Sequence, residues 1–116
     1  MLRFDIINAL IKKNNYTKYL EIGVENGHSM HQIDCQLIHG VDPASKHAIF
    51  EVESDHFFKM LDYFNPDFKY DIIFIDGLHV ADQVDRDIIN SLNHLSPNGI
   101  IVVHDCNPPT AWHART

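Results

Sequence analysis

Residues 70–76, YDIIFID, set four large apolar residues in a row between two aspartates, with none of the polar alternation that a half-solvated strand shows. A strand of that kind is buried on both faces, and the usual way to bury both faces is a parallel sheet with helices on either side. IIVV at 100–103 repeats the pattern. Between the two runs, Val80, Val84, Ile88, Leu92 and Leu95 recur at helical spacing, and SPNG (96–99) reads as the end of that helix. Upstream, Ile6, Ile7, Leu10 and Ile11 predict an amphipathic helix over 2–13, halted by KKNN. TKYLEIGV (17–24) then reads as a strand, GHSMHQID (27–34) as a short helix, QLIHGVD (36–42) as a second strand and AIFEVE (48–53) as a third. SDHFFKMLDYF (54–64) reads as a helix with Ser54 at its N-cap and Asp55 in its first turn. Strands alternating with helices predict one open α/β sheet with helices on both faces, its strand C-terminal ends gathered along one edge by right-handed crossovers.

The chain's 116 residues and 45% hydrophobic content fit a single domain, 1–116, with a buried core. A formal charge of −7 and the absence of any basic block argue against nucleic acid or an anionic membrane as a partner. Cys35 and Cys106 are too few for a disulfide framework or a thiolate cluster. The first 15 residues lack a signal-peptide core and no stretch reaches membrane-spanning length, so a cytoplasmic protein is expected.

In an open α/β sheet, ligands bind outside the carboxyl ends of the strands. The residues expected there are Glu21, Gly23 and Gly27 after the first strand and Asp42 after the second. Ser54 and Asp55 follow the third, Asp76 and His79 the fourth, and His104 and Asp105 the fifth. Glycines at a strand-to-helix turn let a ligand approach the backbone, and Asp42, 21 residues beyond Glu21, is placed to accept from both hydroxyls of a ribose. The dinucleotide pattern G-x-G-x-x-G is absent, because Glu25 stands where a second glycine would admit pyrophosphate. Carboxylates in that turn suit a cationic ligand carrying a ribose and an amino group.

EIGVENG, GVDP, YDIIFIDGLH and LSPNGIIVVHDCNP, in that order over residues 17–109, resemble the class I S-adenosylmethionine-dependent methyltransferases. The likeness is to the subgroup whose fourth strand ends in D-G-x-H and whose fifth ends in H-D. The resemblance implies a Rossmann-like core with strand order 3-2-1-4-5, here without the family's last two strands, and S-adenosylmethionine as cofactor. It implies that Glu21 and the Gly23–Gly27 loop hold the methionine portion, that Asp42 holds the ribose, that Ser54 and Asp55 lie near the adenine, and that Asp76 borders the cofactor. By the same likeness Asp76 and Asp105, with His104 as a third ligand, would hold a divalent ion such as Mg, and His79 would act as general base toward the hydroxyl of a small-molecule or sugar-like acceptor.

Plainer readings stand beside these. The glycines serve a turn, Asp42 a proline turn, and Ser54 and Asp55 a helix cap. The histidines outside the strand-end groups, among them His39, His47 and His94, read as surface residues. A non-catalytic nucleoside-binding or assembly module is the competing function, and a nicotinamide-dependent oxidoreductase is disfavoured by the missing glycine pattern. The apolar 100–103 strand would be an exposed edge, which proteins seldom leave unpaired, so a homo-oligomer covering it is expected. The tail after Asp105 reads as a lid or a frayed end.

Overall fold

A computed structural model describes residues 3–24, 27, 30–76, 81–104 and 110–113, with helices α1 (Arg3–Asn14), α2 (Ser54–Phe64) and α3 (Ala81–Leu92). Its strands are β1 (Lys18–Ile22), β2 (Leu37–Val41), β3 (Tyr70–Asp76), β4 (Leu95–His104) and β5 (Thr110–His113), in one sheet of order β2-β1-β3-β4-β5. The first four strands run parallel, as the unbroken apolar runs require, and β5 is antiparallel to β4. Phe50 bridges Val41 on the outer side of β2, so the expected order 3-2-1-4-5 is present, with its third strand reduced to one residue pair.

Alternation along the central strands sorts side chains into two cores. Leu20, Ile22, Ile73, Ile75, Ile101 and Val103 meet Phe57 and Phe58 of α2, with Val84 and Ile88 of α3 packed against them. Tyr19, Ile72, Phe74, Ile100 and Val102 face Ile7 and Ile11 of α1 on the other side. The three-layer expectation holds. α1 ends where Asn15 adopts a φ of +56° and Tyr16 N–H reaches back to the Ile11 carbonyl, a left-handed stop that asparagine tolerates better than most residues. Asp71 joins the lower ends of three strands: Oδ2 accepts from Thr17 N–H at 2.9 Å, Lys18 N–H at 3.1 Å and the Thr17 hydroxyl, and Oδ1 from the Ser96 hydroxyl.

Several expectations are corrected. SPNG does not end a helix; α3 stops at Leu92, Leu95 pairs with Tyr70, and a register shift brings Ile72 opposite Ile100, so residues 96–99 form an irregular stretch within β4. Residues 48–53 do not extend as a strand, because Val52 N–H turns back onto the Phe50 carbonyl at 2.9 Å. Of the helix expected over 27–34, residues 28 and 29 lie outside the described residues, and the described part holds a 3-10 turn, Met30–Gln32. Ser54 is not the N-cap of α2; Glu53 holds that position and makes no side-chain cap. The 100–103 edge is paired by the chain's own Thr110–His113, which removes the reason for expecting a second copy there. Among the described residues no helix is long and apolar enough to cross a membrane.

Candidate functional site

Parallel pairing carries four strand ends to one edge of the sheet. Glu21 pairs across β1/β3 with Phe74, and Asp76, two residues beyond Phe74, is the register partner of His104 on β4. Register partners in a parallel pair project to the same face, with backbones about 4.8 Å apart. Glu21, Asp76 and His104 therefore share the α1 face at the carboxyl end. Glu21 is 1% exposed and Asp76 3%, which is costly for carboxylates unless they are hydrogen-bonded or paired. Tyr19, on the same face as Glu21, donates its phenolic hydrogen to Glu21 Oε1 at 2.5 Å.

The turn after β1 bends through two left-handed glycines, Gly23 at φ +89° and Gly27 at φ +78°. Both amides are consumed internally: Gly23 N–H bonds the Val41 carbonyl at 2.9 Å and Gly27 N–H the Val24 carbonyl at 3.0 Å. The first bond also ties the end of β1 to the end of β2, where Asp42 follows. Asp42 Oδ1 accepts the Ala44 N–H at 2.8 Å, so its carboxylate is oriented by the proline turn that the plainer reading anticipates. The 42–48 turn then folds over the glycine loop. A Cβ on Gly27 would lie 2.8 Å from His47 Cβ and Cγ, so only glycine fits beneath His47.

His104 is half-buried against Phe74, and its Nδ1 is a buried atom with no hydrogen-bond partner among the described residues. A nitrogen left in that condition beside a carboxylate suits a metal or a ligand donor. The described residues contain no cluster of three such donors, and Asp105, His79 and Glu25 lie outside them.

A methyltransferase domain model matches residues 20–106, from within β1 to two residues past the end of β4. The chain belongs to this methyltransferase domain family. That match bears out the resemblance to class I S-adenosylmethionine-dependent methyltransferases. No curated protein sequence matches the methyltransferase domain significantly. Among solved structures it is similar to an O-methyltransferase from Bacillus cereus in complex with SAH, at 15% identity and a TM-score of 0.72, covering 87% of this chain and 55% of that one. It is also similar to MycE methyltransferase from the mycinamycin biosynthetic pathway, in complex with Mg and SAH, at 19% identity and a TM-score of 0.62, covering 87% of this chain and 33% of that one. Likeness at this identity speaks for the fold alone. The domain spans about half the length of the Bacillus cereus protein and a third of MycE.

Ser54 and Asp55 of the methyltransferase domain turn toward α3. The buried Ser54 hydroxyl donates to Asp87 Oδ1 at 2.5 Å, while the Gln83 amide reaches Ser54 Oγ, Asp55 Oδ1 and Asp87 Oδ1 at 3.0–3.2 Å. Arg86 stands 3.4 Å from Asp55. This network ties α2 to α3. Gln83 and Asp87, one helical turn apart, were the signal for it, but their partners are distant in sequence. Tyr19, the partner of Glu21, was not singled out from the sequence, although Y-x-E on a strand places both side chains on one face. Of the histidines expected at the surface, His94 is fully buried, its Nδ1 bonded to the Phe68 carbonyl at 2.8 Å and its Nε2 to Asp62 at 2.6 Å. His39 is half-buried, with Nδ1 2.8 Å from the Tyr70 hydroxyl.

Proposed function

We propose that this domain binds S-adenosylmethionine at the carboxyl edge of its sheet and transfers the methyl group to a hydroxyl of a small-molecule acceptor. The observation that carries the reading is the turn after β1. Its glycines are left-handed, both glycine amides are already bonded to carbonyls, and a buried carboxylate stands at its base. Such a turn presents negative charge where a phosphate-binding turn presents free N–H groups, so it favours a cation over pyrophosphate. Glu21 and the Gly23–Gly27 turn would face the amino end of the methionine portion, Asp42 the ribose hydroxyls, and Asp76 the floor between cofactor and acceptor.

When bound, the cofactor supplies a methyl group already activated on a sulfonium sulfur. The protein's task is then alignment of the acceptor oxygen with that methyl and removal of the hydroxyl proton. His79 would take that proton as the oxygen–carbon bond forms and the carbon–sulfur bond breaks. Asp76, Asp105 and His104 would hold a divalent ion, which would polarise the acceptor hydroxyl. The relatives support the O-directed reading in that the Bacillus cereus protein is named an O-methyltransferase and MycE is also seen with Mycinamycin VI. A non-catalytic nucleoside-binding module predicts binding without turnover of any hydroxylated acceptor.

Calorimetric titration of wild type and Asp42→Ala with SAH (S-adenosylhomocysteine) tests the assignment. Loss of a carboxylate that accepts from two hydroxyls is expected to weaken binding roughly 10- to 100-fold. Equal affinity of the two proteins would remove Asp42 from the site.

A further inference from the structure

We infer that Tyr19 is a positioning residue for the cofactor site, its phenol holding the Glu21 carboxylate in the orientation that receives the ligand's cationic amino group. The inference rests on the reading of the site given above and deepens it.

Glutamate has three rotatable side-chain bonds, so a carboxylate at the end of a strand is not fixed by the backbone alone. Tyr19 supplies one such constraint. It is fully buried in the α1-side core, in register with Ile72, so its ring has no freedom to follow Glu21 if the carboxylate moves. Its hydroxyl meets Glu21 Oε1 at 2.5 Å, the short O–H···O length expected for a bond to a charged acceptor. Glu21 is walled on the same face by Phe74, its register partner, and β1 ends one residue later at Ile22, before Gly23. Asp76 lies two residues past Phe74 on that face. Tyr19 thus touches no ligand itself. It sets where the Glu21 oxygens lie when the amino group arrives.

A purely structural hydrogen bond would weaken all ligands of the edge alike. A positioning bond affects only ligands that carry the amino group. SAH has the amino acid portion, whereas 5′-methylthioadenosine keeps the adenosine and thioether and lacks it. For Tyr19→Phe, calorimetry is expected to show SAH affinity reduced about tenfold, with methylthioadenosine affinity within about twofold of wild type. Equal loss for both compounds, or no loss for either, overturns the inference while leaving the site reading intact. A wild-type protein that binds neither compound overturns both.

Should Tyr19→Phe unfold the chain, the double variant Tyr19→Phe/Glu21→Gln removes the donor and the charge together, a change that buried sites tolerate better than loss of one partner. Compared with Glu21→Gln alone, it is expected to bind SAH with unchanged affinity. A further loss in the double variant would show that Tyr19 acts on the site by some route other than Glu21, and the inference would fail.

Discussion

Replacing Gly27 by alanine strikes the turn on which the site depends, and the structure gives the size of the effect. At φ +78° an L-residue sits in the left-handed region, at a cost of about 1–2 kcal/mol. The added Cβ would also stand 2.8 Å from His47 Cβ and Cγ, where ordinary contact begins beyond 3.4 Å. Rotating the exposed His47 ring relieves the Cγ contact but not the Cβ contact. The 42–48 turn itself must therefore shift, against the Asp42–Ala44 and Ser45–His47 bonds that shape it. Overpacking of this kind costs about 1–3 kcal/mol. The sum is a destabilisation of about 3 kcal/mol, read from urea-denaturation midpoints at constant slope. Adding His47→Gly to Gly27→Ala is expected to recover the overpacking share and leave only the backbone share, measured against His47→Gly alone. A Gly27→Ala protein within about 0.5 kcal/mol of wild type, below the usual cost of any such change, would refute the left-handed turn. A double variant with no recovery would refute the His47 contact.

Stability should fall in two stages on acidification. Burial holds the His39 imidazole below its ordinary value of 6.5, so below that pH the unfolded chain takes up the proton first and the folded state loses ground as pH drops through the folded value. For Asp71 burial pushes the carboxyl up, but the bonds from Thr17, Ser96 and Lys18 outweigh it and leave it below 3.8, so its contribution is complete above that value and is lost beneath it. Thermal melts from pH 8 to pH 2 should show the first stage flattened in His39→Gln and the second in Asp71→Asn; an unchanged profile in either variant would contradict the assignment. His94→Ala empties a fully buried site stacked on Phe58 and leaves the Phe68 carbonyl without its donor, for an expected loss of about 3 kcal/mol by urea denaturation, whereas a surface histidine would cost almost nothing.

The central sheet was legible because burial on both faces leaves a direct mark on sequence: YDIIFID and IIVV admit little besides interior parallel strands. What was not legible depended on competition between local patterns and distant partners. Leu95 continues the Leu92 helical stripe by spacing, yet it belongs to β4 because Tyr70, 25 residues earlier, offers a strand to pair with. Residues 48–53 carry strand-like residues, but only Phe50 finds backbone partners on β2 before the chain turns back. His94 looked like a surface residue because neither Asp62 nor the Phe68 carbonyl is near it in sequence. That Glu21, Gly23, Gly27, Asp42 and Asp76 lie at or just past the carboxyl ends of strands was readable from the strand ends alone, since a parallel sheet gathers them along one edge. The partners that α3 gives Ser54 and Asp55, Asp87 and Gln83, lie about 30 residues away in sequence and left no local mark.

The account stands on the claim that a carboxylate-lined bend, its glycine amides already spent, selects a positively charged nucleoside. Titration calorimetry of the wild-type chain with S-adenosylmethionine and with NAD under identical conditions tests it. The account predicts saturable micromolar binding of the first, weakened in Glu21→Gln, and none of the second. Binding of NAD, or no heat from either compound, would contradict it.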